Sequence, residues 1–143
     1  VAAYNKHNDF VEQLGLAKHN CNTDTFKVLL TNTAPTAANT IKSDLTEISA
    51  GNGYTAGGED TQNTWAEASG TATCTGTKVV WTAAGGTIGP FRYVDMYNDT
   101  QTSPADPLIA WWDYGSAITL QIGETFSWKP NNSDTTGSIF TLA

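Results

Sequence analysis

In the segment Ile109-Ala-Trp-Trp-Asp-Tyr114, large apolar side chains stand next to one another, and this limits the possible folds more than any other feature of the chain. Neighbouring residues of a strand project to opposite faces of its sheet, so Ile109 and Trp111 are expected on one face and Trp112 and Tyr114 on the other. The stretch "GPFRYVDMYND" has the same character, with Phe91, Tyr93 and Tyr97 opposing Val94 and Met96. An aromatic ring that buries about 150–250 Å2 contributes on the order of 4–6 kcal/mol before entropy is counted, so neither face of such strands belongs in water. One face fills a core. The other must meet the amino-terminal segment, a long loop or another molecule.

The remaining chain supplies strands of a different kind. Ile118, Leu120 and Ile122, and Phe126 and Trp128, fall on one face with hydroxyls and an amide on the other, the pattern of a sheet with one wet side. Phe26, Val28 and Leu30 alternate with Thr25, Lys27 and Thr31 and predict a half-buried strand. Further strands are expected over 61–68, 71–75, 78–82, 90–97, 108–114, 117–122, 125–128 and 138–142, separated by turn signals such as "AAGG", "GS" and "PNNSDTTG". Residues 31–58 read as a long connection in which "SDLTEI" forms one turn of helix, and connections of this length usually wrap a surface or carry function. Within residues 1–22 a helix is expected, with Asp9 and Glu12 as a capping box and Phe10, Leu14 and Ala17 at helical spacing. Eight or nine short strands in 143 residues, 23 of them Thr, indicate one all-β domain: a β-sandwich or jelly roll over 23–143 preceded by the helical segment.

A net charge of −7 with scattered basic residues repels phosphate, so no nucleic-acid partner is expected. No stretch approaches the ~18 apolar residues of a membrane span, and the first residues lack the apolar run of a signal peptide. A soluble chain made in the cytosol is expected, without a membrane partner. Cys21 and Cys74 do not define a disulfide framework and read as two buried thiols.

Nucleophilic catalysis needs a base beside Ser or Cys, and the only histidines are His7 and His19. Placed on one helix they would lie about 120° apart around its axis, unable to share a site, and are expected to be solvated or at an interface. Asp95, Asp99 and Asp113 are the carboxylates that a small hydrolase would use. Turn and strand-end Asp residues more often bond local backbone groups. The loop "NDTQTSPAD" could offer Asp99 and Asp106 to a Ca2+ but lacks EF-hand spacing, so no metal or other cofactor is assigned. Arg92, the sole arginine, sits between aromatics as a buried ion pair or interface anchor would.

The strings "AYNK", "VLLTNTAP", "EISAGNGYTAGG", "IGPFRYVDMYND" and "PLIAWWDYGSAITLQIGETF" together resemble a family of small virion proteins of tailed bacteriophages and prophages, most like head decoration, or cement, proteins. The likeness spans nearly the whole chain except 61–78. It implies a jelly-roll-like domain without catalytic residues that sits on the capsid surface of the virion after synthesis in the host cytoplasm. There it would assemble with itself as a dimer or trimer and bind across subunits of the major capsid protein. Phe91, Arg92, Tyr93, Tyr97, Trp111, Trp112 and Tyr114 are the interface residues expected on this basis. A carbohydrate-binding module of a phage tail or fibre is the alternative, with a sugar stacked on Trp or Tyr.

Overall fold

The computed structural model describes residues 2–143, and these form an all-β sandwich with one short helix. The largest sheet has the order β1 (Asn5–Lys6), β8 (Leu108–Leu120), β7 (Ile88–Asn98), β2 (Phe26–Thr31) and β3 (Glu59–Asp60), antiparallel throughout. Facing it are a three-stranded sheet of β10 (Thr136–Leu142), β5 (Thr71–Thr77) and β4 (Thr64–Ala68), and a ribbon of β6 (Val79–Thr82) with β9 (Thr125–Trp128). No helix among the described residues is long and apolar enough to cross a membrane.

The core between the sheets is aromatic. Trp81 and Trp128 are wholly buried, Trp112 meets Trp128 edge-on at 5.3 Å, and Phe126 contacts Trp81, Phe91 and Tyr114. Val28, Leu30, Val94, Met96 and Ala110 close the core from the large sheet. The amino-terminal segment joins its edge, where Tyr4 packs on Trp112 and Phe140, and Phe10 on Phe140.

The helix α1 spans only Asp9–Gly15, with Phe10 buried. The expected capping box does not form: Asn8 is the N-cap and makes no side-chain cap bond. The preceding residues are committed to the sheet, since Asn5 and Lys6 pair with Trp111 and Ala110. Helix is lost where Ala17 takes φ 59, letting the Lys18 N–H donate back to the Gln13 carbonyl. Both histidines consequently lie off the helix. They are buried, contrary to the solvated or interface positions expected of them, at 0% exposure for His7 and 5% for His19.

Strand β2 is also buried on both faces, because Leu29 and Thr31 are covered along with Phe26, Val28 and Leu30. Its expected wet side is occupied by the long connection. The faces of the two aromatic strands differ from simple alternation at irregularities in their pairing. Between Met96↔Ala110 and Tyr97↔Leu108 the register shifts, so Ile109 joins the inner core with Trp112 while Trp111 turns outward. A second shift, between Phe91 and Tyr93, moves Phe91 inward beside Val94 and Met96. The expected turn at Gly115-Ser116 is no turn: β8 runs through it with Gly115 at φ 90, and the extra residues are absorbed as a bulge. Ile122 lies beyond the strand and is 68% exposed, off the face assigned to it.

Outside the large sheet, residues 32–58 form a cover with little regular structure, a single 3-10 turn at Lys42–Asp44 replacing the expected turn over "SDLTEI". Leu45 packs on Leu29, Tyr97 and Leu108, and the Tyr97 hydroxyl donates to the Gly57 carbonyl at 2.6 Å. Glu47 accepts from the Tyr54 hydroxyl and the Gly57 N–H at 2.7 and 2.6 Å, and Tyr54 in turn accepts from the Leu30 N–H. The cover ends at Gly58, whose φ of 74 and approach to the Val28 carbonyl leave no room for a Cβ.

His7 fastens the amino-terminal segment to this cover and to the sheet. Its Nδ1–H donates to the Thr36 carbonyl at 3.1 Å, and Nε2 lies 2.9 Å from Asp95 Oδ2 in the middle of β7. Replacing Asp95 by Ala is expected to destabilise the fold by about 3–5 kcal/mol, the usual cost of removing one partner of a buried pair. Denaturant unfolding checks this, and a loss under ~1 kcal/mol would show that the pair does not hold the outer layer.

Candidate interaction surface

The structure divides the seven expected interface residues into three groups. Phe91 and Tyr97 are fully buried within their own chain, the first in the inner core and the second under the cover. Trp112 and Tyr114 turn to the sandwich side and pack against Trp128 and Phe126. Arg92, Tyr93 and Trp111 belong to the outer side of the large sheet, where Tyr93 pairs with Asp113 and Asp95 with Trp111.

On that side Arg92 makes a two-pronged ion pair with Asp113, Nε to Oδ1 at 2.7 Å and Nη2 to Oδ2 at 2.9 Å. The guanidinium also lies over the Tyr93 ring, 5.2 Å from its centroid. Asp113 accepts a further bond from the Gly115 N–H at 2.8 Å, made possible by the left-handed glycine in the bulge. Hydrogen bonding to Arg92 holds the Asp113 carboxyl below the usual carboxylate range and raises Arg92. Both side chains stay more than a third exposed, so this pair is screened by water and contributes little to folding. Beside it the half-buried Trp111 covers His7, with ring centroids 4.7 Å apart. The result is a part-exposed group of Arg92, Asp113 and Trp111 on β7 and β8, with the Tyr93 ring buried beside it.

The three carboxylates considered for hydrolysis do not converge. Asp95 is inaccessible, and burial pushes its carboxyl up to about 6 against the opposing bond from His7. Asp113 is held by Arg92, and Asp99 pairs with Lys27 at 2.9 Å. Among the described residues no cluster of three or more His, Cys, Asp or Glu is placed to hold a metal ion, including around Asp99 and Asp106.

The structure also has a concave region that no local pattern of the sequence marks. A cavity of about 320 Å3 opens between the amino-terminal segment and the turn before β10, lined by Ala2, Ala3, Tyr4, Trp112, Lys129, Asn131, Asn132, Ser138 and Ile139. A smaller one of about 80 Å3 continues past Trp112 to Tyr114 and Ser127. Asn131 and Asn132 stand at its edge with φ of 47 and 59, conformations that Asn tolerates better than most residues. The signal in the sequence was "KPNNSD", readable as a turn but not as a wall of a cavity that Tyr4 completes from far along the chain.

His19 is buried behind α1. Its Nδ1 accepts from Asn98 Nδ2 at 3.2 Å, Nε2 has no partner among the described residues, and burial lowers its pKa to about 4 against the opposing charges of Asp24 and Asp9. The comparisons with known proteins found no matching family model, curated protein or solved structure.

Because the folded pKa of His19 lies below its ordinary value of 6.5, its contribution to stability is complete above pH 6.5 and is lost as pH falls through 4. The loss amounts to about 3 kcal/mol when the folded form must take the proton. Urea unfolding of the natural chain and His19→Gln at pH 7 and pH 3.5 is expected to show their stability difference moving by about that amount in favour of the variant at low pH. A constant difference would refute this assignment.

Proposed function

We propose that this chain is a structural virion protein, a jelly-roll-like domain that decorates a tailed-phage capsid and stabilises it by binding across major capsid protein subunits as a homo-oligomer. The observation that carries this proposal is the part-exposed Arg92, Asp113 and Trp111 on the outer side of the large sheet, with the buried Tyr93 ring against the Arg92 guanidinium. Arg, Tyr and Trp are the residue types that anchor protein contacts, and here Arg92 is held by Asp113 and the Tyr93 ring. Resemblance to phage decoration proteins over most of the sequence supports it. Many copies that bind only the assembled shell stabilise it by mass action, and a symmetric dimer or trimer multiplies the contacts each copy makes.

The cavity at Trp112 favours a second function, carbohydrate binding by a tail or fibre module. It combines aromatic walls in Tyr4 and Trp112 with Lys129, two Asn and Ser138, groups able to bond hydroxyls.

Quantitative mass spectrometry of purified particles distinguishes the two. Decoration requires about one copy per major capsid subunit or a fixed simple fraction of it, whereas a handful per particle favours the tail and complete absence refutes both. Arg92→Ala and Trp111→Ala are each expected to weaken binding to undecorated heads by about 30-fold, the effect of losing an anchor worth ~2 kcal/mol. Their unfolding midpoints should be compared in parallel, and unchanged binding by a folded variant would remove the cluster from the interface.

A further inference from the structure

Cys21 and Cys74 belong to separate parts of the fold, yet both are buried free thiols of one core cluster. Two features of the backbone bring them together. Asn63, just ahead of β4, donates through Nδ2 to the carbonyls of Cys21 and Asp24 at 2.8 and 3.0 Å, which ties the turn after α1 to the start of that strand. Two residues on, Trp65 is the cross-strand partner of Cys74 in β5, so both side chains stand on one face of the sheet. Trp65 and Cys21 line the same cavity, about 280 Å3 in volume, with Leu14, Ala17 and His19. Cys21 therefore forms part of the wall of a cavity that opens to solvent, at 5% exposure, while Cys74 lies behind it at 0%.

We propose that Cys21 and Cys74 form an oxidation site, a dithiol that a small peroxide entering this cavity converts to an intramolecular disulfide. The Cys21 thiolate attacks one peroxide oxygen: an S–O bond forms, the O–O bond breaks, and hydroxide leaves to take up a proton as water. The Cys74 sulfur then attacks the Cys21 sulfenic acid, so that the S–S bond forms, the S–O bond breaks, and a second water leaves with the Cys74 proton. Two thiols lose two electrons and one peroxide becomes two waters. Their influence on each other suits the two roles: Cys74 holds the Cys21 thiol below its usual range, while Cys21 together with burial pushes Cys74 up. The disulfide would close a loop on the order of 50 residues and fasten the turn after α1 to the sheet opposite. It does not depend on where the protein acts, but for a chain synthesised in a reducing compartment and later exposed to an oxidising one it would form after folding.

The test treats the purified, reduced protein with millimolar hydrogen peroxide and maps the products by mass spectrometry. The expected product is monomeric, two hydrogens lighter, and gives one crosslinked peptide containing Cys21 and Cys74. Its Tm should rise on the order of 10 °C, and the rise should be reversed by dithiothreitol. In Cys74→Ser a sulfenic acid trappable by dimedone should accumulate at Cys21, and in Cys21→Ser the buried Cys74 should stay reduced. Two thiols still titratable after treatment, or crosslinks between chains in place of the internal one, would overturn the proposal. The natural chain alone decides this if either variant fails to fold.

Discussion

A histidine and an aspartate placed where water does not reach oblige the surrounding chain to supply every hydrogen bond they need. His7 and Asp95 are both fully buried, and the contacts that satisfy them come from three distant parts of the sequence. The amino-terminal segment brings the imidazole, the long connection brings the Thr36 carbonyl, and the central strand β7 brings the carboxylate. A carbonyl can only accept, so the Nδ1 proton is fixed, and one proton remains between Nε2 and the carboxylate. The pair is neutral with that proton in either place, which is what makes its burial tolerable. If any of the three contributors moved away, the other two would be left with unpaired polar groups in a dry site. The outer layer is therefore specified by polar satisfaction as much as by apolar area.

This layer accounts for the doubly apolar strands. Trp112 and Val94 fill the space between the sheets, whereas Trp111, Leu29, Tyr97 and Leu108 require cover on the opposite side. The chain supplies that cover itself through β1, His7 and residues 32–58. Most of the aromatic surface that invited an intermolecular explanation is thus spent internally. On the outer side of the large sheet, the part of the expected interface set left for a partner is Arg92 and Trp111, with Tyr93 buried beside them.

The fold class was legible because threonine-rich alternation and regularly spaced turn signals describe local conformation. β9 at Thr125–Trp128 falls where its two-residue period places it, and the long connection begins and ends close to its composition boundaries. The inner or outer direction of individual residues was less legible. One bulge beside Met96 is enough to send Ile109 inward and Trp111 outward, and a bulge is a property of two strands in register that neither strand shows alone. The histidines were hidden for the same reason. Helical spacing in "NDFVEQLGLAKHN" describes the segment in isolation, but pairing of Asn5 and Lys6 with β8 shortens the helix and carries His7 over Asp95. The sharing of one core cluster by Cys21 and Cys74 and the cavity at Tyr4 likewise depend on long-range closure.

The exposed Arg92–Asp113 pair occupies an unusual position in this arrangement. Two-pronged geometry, a stacked tyrosine and an extra bond from Gly115 order both side chains, while water screens most of the attraction between them. Ordering without much gain in folding stability makes sense for a surface prepared for contact, since the entropy cost of fixing Arg92 is met before any partner arrives. Covering the pair would remove the screening water and strengthen its electrostatics, provided that the partner satisfies the guanidinium N–H groups and carboxylate lone pairs left free. A flat apolar partner would strand them, whereas one offering a carbonyl or carboxylate to Arg92 and a donor to Asp113 would not. In the proposed decoration role, specificity for the capsid would therefore lie in polar complementarity at this pair, with Trp111 supplying the apolar area beside it.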